Sequence, residues 1–321
     1  MSDRPSMRLK DLARMGLIAA SLVGSLSLVG SPVALAQDAS PEASPMAECV
    51  PGEMSMGGMD MASPEASPMA EAEPVGMPAD EATTAAATAF IDNIKACIND
   101  PEALATLVTP NLVMSMGGYA SIEEAVADGF FAELPFGAME VMKVTSYDNG
   151  AVGVEVQYQM TEYQIVAEEW WLVMDGDAWK LNAIENETAD VDGDTVAVGV
   201  QLLEVDGGYA ITPNTSSVLE SEVLILQAIN PAENTELHEL VMVQLPEGAD
   251  PMGLMDGSVA FEDVVFIGVV ANIAPGDSAD MTLVNLPAGQ YTLLCFFPSP
   301  DGTPHIAAGM VAPFEVLPLE S

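Results

Sequence analysis

Along residues 80–187, the spacing of hydrophobic positions changes from a helical period to a period of two. Within residues 80–98, the apolar positions at helical spacing are Phe90, Ile94, Cys97 and Ile98. Asp100 before Pro101 predicts the start of a short second helix. The capping box at 121–124 predicts a third helix. The first half of this stretch is therefore predicted to be helical.

After residue 139, apolar and polar residues alternate, which indicates β-strands. Four strands are predicted, at 140–147, 151–163, 164–174 and 178–187. Turn sequences join them at 148–150, which is Asp-Asn-Gly, and at 175–177, which is Asp-Gly-Asp. Helices followed by an antiparallel meander predict an α+β domain that covers residues 80–188.

Beyond residue 195 the pattern is different, because short apolar runs are separated by Gly, Pro and Asn. Seven strands are predicted, at 196–205, 222–230, 237–245, 264–270, 279–285, 290–297 and 309–316. Such a succession of short strands is typical of an all-β sandwich. We expect a polar, turn-rich linker at 189–195 to separate this second domain, residues 196–321, from the first.

The N-terminal end of the chain has the pattern of an export signal. Four of the seven basic residues lie there: Arg4, Arg8, Lys10 and Arg14. An apolar stretch follows at 15–29, and 34–36 is an A-x-A cleavage sequence. We predict a signal peptide, residues 1–36, and a secreted, extracytoplasmic protein. The alternative is an uncleaved anchor, because residues 16–36 could nearly span a bilayer, and membrane contact is expected only in that case.

Residues 37–79 consist mainly of Ala, Ser, Pro, Glu, Gly and Met, which predicts a disordered tether. The segment 39–48 recurs identically at 62–71. Between the two copies lie four methionines at M-x-M-x-x-M-x-M spacing: Met54, Met56, Met59 and Met61. Thioether sulfur is a soft ligand, so these residues are candidate Cu(I) ligands. The alternative is that they reflect the abundance of methionine in the chain, which has 21.

The composition excludes several classes of function. The chain has 49 acidic and 7 basic residues, for a formal net charge of −42. A nucleic-acid partner is excluded, because neutralising phosphates requires a basic surface. The two histidines are too few for multicopper clusters, multi-histidine zinc enzymes or haem assemblies. We therefore expect that the protein is not an enzyme.

The order of helices and then a meander over residues 80–188 resembles the NTF2-like superfamily, which includes SnoaL-like and ketosteroid-isomerase-like proteins. The resemblance implies a cone that holds small ligands, and buried Asp, Tyr or His residues perform acid–base chemistry in some members. This segment contains no histidine. Its candidates are not distinguished from ordinary strand and surface residues: Tyr119, Tyr158, Tyr163 and Glu168. The tryptophans are expected in the core: Trp170, Trp171 and Trp179.

Both histidines and the last cysteine of the chain fall in the predicted sandwich. His238 opens one strand and Cys295 closes another, and His305 and Met310 follow in a C-x9-H-x4-M run. This segment resembles the cupredoxin, or blue-copper, family over about residues 196–318. The resemblance implies a Greek-key sandwich in which His238, Cys295 and His305 are the trigonal copper ligands and Met310 is the weak axial one.

The residue types fit that chemistry, because a thiolate and two imidazoles suit copper in both oxidation states and an axial thioether tunes the potential. The nine residues between Cys295 and His305 make a long loop, which leaves both a type 1 site and a distorted relative open. Glu239, Asp301 and Thr303 are candidates for orienting the ligands.

Three cysteines in an exported protein leave one unpaired. Cys49 and Cys97 are the candidate disulfide pair, which would leave Cys295 free to bind copper.

Three functions follow as hypotheses. The first is an exported mononuclear copper protein that transfers single electrons to a redox partner with a basic docking face, since complementary charge steers encounter. The second is copper storage or delivery that uses the methionine-rich tether. The third is a metal-free ligand-binding or structural protein that uses the NTF2-like cone.

Overall fold

A computed structural model describes residues 49–51, 74–132, 139–176 and 178–319. The predicted signal peptide, 1–36, and the four methionines at 54–61 lie outside the described residues. Across the described ranges, no helix combines the length and the apolar character needed to cross a membrane.

Helices occupy the beginning of the described chain. Their bounds are α1 Glu81–Cys97, α2 Pro101–Ala105, α3 Pro110–Gly117 and α4 Ile122–Asp128. The three predicted helix starts are confirmed by their caps. Asp80 accepts from Thr83 N at 2.7 Å, Asp100 accepts from Ala103 N at 3.0 Å, and Ser121 Oγ accepts from Glu124 N at 3.2 Å. The third helix, α3, was not expected from the sequence. It begins after Thr109, whose hydroxyl oxygen caps it.

A meander of antiparallel strands follows the helices. The strands are β2 Met139–Tyr147, β3 Val152–Gln159, β4 Gln164–Asp175 and β5 Ala178–Glu187, and a short strand, β1 Gly76–Pro78, pairs with β2. The four long strands lie where the alternating pattern predicts them. Strand β1 lies within the range 37–79 that was predicted to be a disordered tether, so that range is too long at its C-terminal end.

One hydrophobic core joins the helices to this meander. It includes Phe90 and Ile94 of α1, Val154 of β3 and Trp170 of β4, all buried. Trp179 packs against the same core. The order of helices and strands is the expected one, and its assignment to the NTF2-like class stays a prediction.

The remaining chain forms an all-β sandwich. Its strands are β6 Thr195–Val205, β7 Gly208–Pro213, β8 Ser217–Leu219, β9 Val223–Ile229, β10 His238–Gln244, β11 Val265–Ile273, β12 Ser278–Val284, β13 Gly289–Leu294 and β14 Val311–Leu317. One sheet has the order β11-β10-β13-β14-β8, and the facing strands have the order β12-β9-β6-β7. A short helix, α5 Gly253–Asp256, lies between β10 and β11. Strands β7, β8 and helix α5 were not predicted.

The two halves of the chain share a sheet, because β4 pairs with β12 through Ile165 and Thr282. The turn between β3 and β4 also reaches the other sheet of the sandwich. There Thr161 Oγ1 donates to Ile267 O at 2.6 Å, and Gln164 Nε2 donates to Val269 O at 2.7 Å. Hydrogen bonds therefore connect the helix-bearing half to both sheets of the sandwich.

Candidate metal centre

The sandwich brings His238, Cys295 and His305 together at one end. His238 is the first residue of β10, and Cys295 directly follows β13, which lies beside β10 in the sheet. His305 begins a single 3₁₀ turn before β14. All three side chains are fully buried, with 0% of their surface exposed.

The nine residues between Cys295 and His305 fold back on themselves. Ser299 N donates to Thr303 O at 2.9 Å, which closes the tip of the loop. At its base, His305 N donates to Phe297 O at 2.8 Å, and Ile306 N donates to Cys295 O at 2.8 Å. The loop is therefore a small hairpin, and its length does not separate the histidine from the cysteine.

Three ligand atoms face one another inside this cluster. His305 Nδ1 lies 3.2 Å from His238 Nδ1 and 3.5 Å from Cys295 Sγ, and the possible ligand atoms all fall within 4.8 Å of one another. Two atoms that bind one ion at about 2.0–2.3 Å each are separated by roughly 3–4 Å. The donor set and its spacing therefore fit a metal ion bound between these side chains.

Burial keeps the cluster uncharged when it holds no metal. Burial, together with the neighbouring His305, lowers the pKa of His238 to about 4. The pKa of His305 is also lowered, again mainly by burial. Burial raises the pKa of the Cys295 thiol well above its usual value. Neutral imidazoles are ready to coordinate a metal, whereas the thiol releases its proton when a metal binds.

The backbone of Met310 is hydrogen-bonded to the backbones of His305 and Cys295. Its N–H donates to His305 O at 2.9 Å, and its carbonyl accepts from Cys295 N at 3.3 Å. The side chain is fully buried in the sandwich core that also contains Cys295. The role of Met310 as an axial ligand stays a prediction.

The candidate orienting residues act on the loop. Glu239 is buried, and its Oε1 accepts from Phe296 N at 2.7 Å, directly after Cys295. Burial raises the pKa of Glu239 to about 7. Asp301 accepts from Ser299 Oγ at 2.8 Å and from Thr303 N at 2.9 Å, so it shapes the loop tip.

Sequence reasoning missed the residues that cover the imidazoles. Glu236 Oε2 lies 2.9 Å from His305 Nε2, and the Tyr209 ring stacks on the His305 ring with 3.9 Å between centroids. Glu204 Oε1 lies 4.0 Å from His238 Nε2, which has no hydrogen-bond partner among the described residues. Glu236 lies at a bend before β10, so no strand pattern marked it. Tyr209 lies on the unpredicted strand β7.

The other candidate residues lie in the helix-bearing half. A disulfide joins Cys49 to Cys97, and Cys295 is a free, buried thiol. Tyr158 and Glu168 are hydrogen-bonded to each other at 3.2 Å. Tyr119 instead contacts Asp128, and Tyr163 packs against the sandwich core. The four acid–base candidates are therefore not brought together in one site.

No protein-family model matches the chain, and no curated protein matches it. Among solved structures, an auracyanin B structure is 18% identical, covers 40% of this chain and 94% of its own, and has a TM-score of 0.29. Na-dithionite reduced auracyanin from the photosynthetic bacterium Roseiflexus castenholzii is 21% identical, with coverages of 39% and 97% and a TM-score of 0.26. A multi-copper oxidase from Pediococcus acidilactici is 14% identical, with coverages of 51% and 38% and a TM-score of 0.26. Because these TM-scores are low, the function proposed below rests on the geometry of the cluster.

Proposed function

We propose that this chain is an exported copper-binding protein that carries single electrons through one type 1-like site and converts no substrate. His238, Cys295 and His305 would hold the metal, with Met310 as a fourth, weaker ligand. The supporting observation is the mutual approach of two imidazole nitrogens and one thiol sulfur in a fully buried cluster. When bound, copper supplies a one-electron couple that this donor set stabilises in both states.

The protein itself contributes a rigid site from which water is excluded. Two neighbouring strands place His238 and Cys295, and the hairpin loop returns His305 to them. Complete burial excludes water from the ligand atoms. Such a frame holds the ligands in one arrangement whether the site has gained or lost an electron, which lowers the reorganisation that electron transfer requires.

Two further parts of the proposal concern location and partner. The disulfide between Cys49 and Cys97 supports export, because disulfides persist in oxidising compartments. The acidic excess supports a redox partner with a basic docking face, since Lys180 is the last basic residue of the chain. The partner is therefore proposed to be a basic one-electron carrier protein.

A copper titration tests the proposal. Adding Cu(II) to the purified protein is expected to give an intense visible thiolate-to-copper band with one copper per chain. Cys295→Ser should abolish the band, because the thiolate is the donor in that transition. The double variant Cys49→Ser/Cys97→Ser is the matched control. It should keep the band, since the two cysteines that it removes lie in the other half of the chain. A wild-type protein that stays colourless and binds no copper would refute the proposal.

A further inference from the structure

The outer edge of the His305 ring is closed by two side chains. Glu236 Oε2 lies 2.9 Å from His305 Nε2. Tyr209 covers the ring face at an interplanar angle of 24°, and its hydroxyl donates to both oxygens of Glu236, at 3.1 and 3.0 Å. We call Glu236 and Tyr209 the cap of His305. The cap explains why a histidine on a loop is fully buried.

Two glycines bring the strand that carries Tyr209 close to the His305 turn. A Cβ atom at Gly208 would lie 2.3 Å from Ala308 O, which is too close for any side chain. A Cβ atom at Gly309 would lie 3.0 Å from Tyr209 O, and Gly309 has a φ of +106° that favours glycine. This close approach sets the position of the Tyr209 ring over the imidazole.

The backbone around Glu236 is also fixed. Its N–H donates to Glu204 Oε1 at 2.8 Å, and its carbonyl accepts from Asn230 Nδ2 at 2.9 Å. Asn230 is fully buried and bonds in turn to Asn234. The carboxylate therefore reaches His305 from a segment that is held on both sides.

The hydrogen bond decides which nitrogen of His305 carries the proton. A carboxylate accepts only, so the short contact to Glu236 requires a proton on Nε2. In the neutral ring, Nδ1 is then unprotonated, and Nδ1 is the nitrogen that faces His238 and Cys295. His238 lacks this arrangement, because its Nε2 has no hydrogen-bond partner among the described residues.

We propose that Glu236, held by Tyr209, is a positioning residue that fixes His305 as the Nε2–H tautomer and keeps a negative charge against this ligand. The consequence for bound copper rests on the function proposed above: the added charge makes the imidazole a stronger donor and so favours Cu(II) over Cu(I). Residues that bind the outer nitrogen of a ligand histidine change metal affinity about 10–100-fold.

The test uses the full chain and two readouts. In the copper-free protein, ¹⁵N chemical shifts of the imidazoles are expected to show the Nε2–H tautomer for His305, and Glu236→Ala should introduce the Nδ1–H form. In the copper-loaded protein, Glu236→Gln keeps an acceptor oxygen but removes the charge. It is expected to lower the ratio of Cu(II) to Cu(I) affinity about tenfold, which for one electron raises the potential by about 59 mV.

Two variants sharpen the test. Glu233→Gln removes an exposed charge from the same loop and should leave the affinity ratio unchanged. Tyr209→Phe keeps the stacked ring and loses the hydroxyl, so its effect should be smaller than that of Glu236→Gln. A His305 tautomer that is unchanged in Glu236→Ala, or an affinity ratio equal in Glu236→Gln and Glu233→Gln, would overturn the proposal. Wild-type protein that binds no copper would instead refute only the proposed function, because the tautomer of His305 still decides the role of Glu236.

Discussion

Two polar clusters, the Glu168 cluster of the helix-bearing half and the histidine–cysteine cluster of the sandwich, differ in how their hydrogen bonds are satisfied. In the helix-bearing half, Glu168 lies on the face of β4 that packs against the helices. Its Oε1 accepts from Tyr158 at 3.2 Å, and its Oε2 accepts from Trp170 Nε1 at 2.7 Å. Both carboxylate oxygens thus have donors, although burial still raises the pKa of Glu168.

The hydrogen bonds of the cluster in the sandwich are satisfied less completely. His238 Nδ1, His305 Nδ1 and Cys295 Sγ face one another, and His238 Nε2 has no partner among the described residues. A buried polar atom without a partner costs about 1–3 kcal/mol, so native proteins retain few of them without a functional reason. Under the function proposed above, the histidine–cysteine cluster is kept to bind a metal, whereas the Glu168 cluster stabilises the fold.

The largest expected effect is that of His238→Leu on copper affinity. We expect copper affinity to fall by more than the roughly 10–100-fold that loss of an outer hydrogen bond costs. The free energy of unfolding of the copper-free protein should change by no more than about 1–3 kcal/mol, because leucine removes the unpartnered His238 Nε2 but also removes the Nδ1 contact to His305. Copper titration and equilibrium urea unfolding measure the two quantities.

Met242→Leu is the control for packing on the same strand. Met242 is equally buried, and its replacement should leave copper binding intact. If His238→Leu destabilised the copper-free protein by several kcal/mol, the histidine would be a structural residue and the contrast between the two clusters would disappear.

The substitution Glu168→Leu tests the other side of the contrast. Tyr158 and Trp170 would each lose a carboxylate acceptor, at about 1–3 kcal/mol for each donor. Copper affinity should not change. Glu168→Gln keeps one acceptor oxygen and should cost less than Glu168→Leu. Urea unfolding of the wild-type protein and the two variants gives the order of their free energies of unfolding. An unchanged stability in Glu168→Leu would show that the hydrogen bonds of this cluster are not needed for folding.

Local patterns predicted much of the fold, because they depend on neighbouring residues. The caps at Asp80 and Asp100 and the alternating strands of the meander needed only short stretches of sequence. The unpredicted elements are short, and the one local signal among them, the Asp-Gly pair at 206–207 before β7, was overlooked. Strand β7 is six residues long and only partly apolar, and β8 has three residues. Strand β8 exists because it pairs with β14, which is distant in the sequence. Strand β7 instead forms a hairpin with its neighbour β6 across Asp206 and Gly207.

The same distinction applies to the candidate site. Residue types, the C-x9-H-x4-M run and the cupredoxin resemblance together selected His238, Cys295 and His305, because imidazole and thiol are uncommon in this chain and suit metal ions. Tyr209 could not be selected, because it reaches His305 only through the close approach of two glycine-containing backbones that lie far apart in sequence. Contacts across such distances depend on the complete fold and leave no local pattern.

The least predictable feature is the join between the two halves. Gln164 is buried, and both ends of its amide bond the backbone of Val269, with Nε2 donating to the carbonyl and Oε1 accepting from the N–H at 2.9 Å. The expected domain ranges, 80–188 and 196–321, assume that residues 189–195 separate two independent units. The shared sheet and the Gln164 contacts instead favour unfolding as one cooperative unit.

Two probes can follow the halves separately, because all three tryptophans lie in β4 and β5 and the expected copper band reports the sandwich. In the wild-type protein, urea transitions detected by tryptophan fluorescence and by the copper band should coincide. Gln164→Ala removes two hydrogen bonds to Val269. It should lower the free energy of unfolding obtained from tryptophan fluorescence by about 1–3 kcal/mol, so that the tryptophan transition separates from the copper transition. Gln159→Ala is the matched control, because this exposed side-chain amide of the same hairpin donates to Glu162 O and not to the sandwich. Wild-type transitions that are already separate would show that the halves fold independently, and the two clusters would then be properties of two unrelated units.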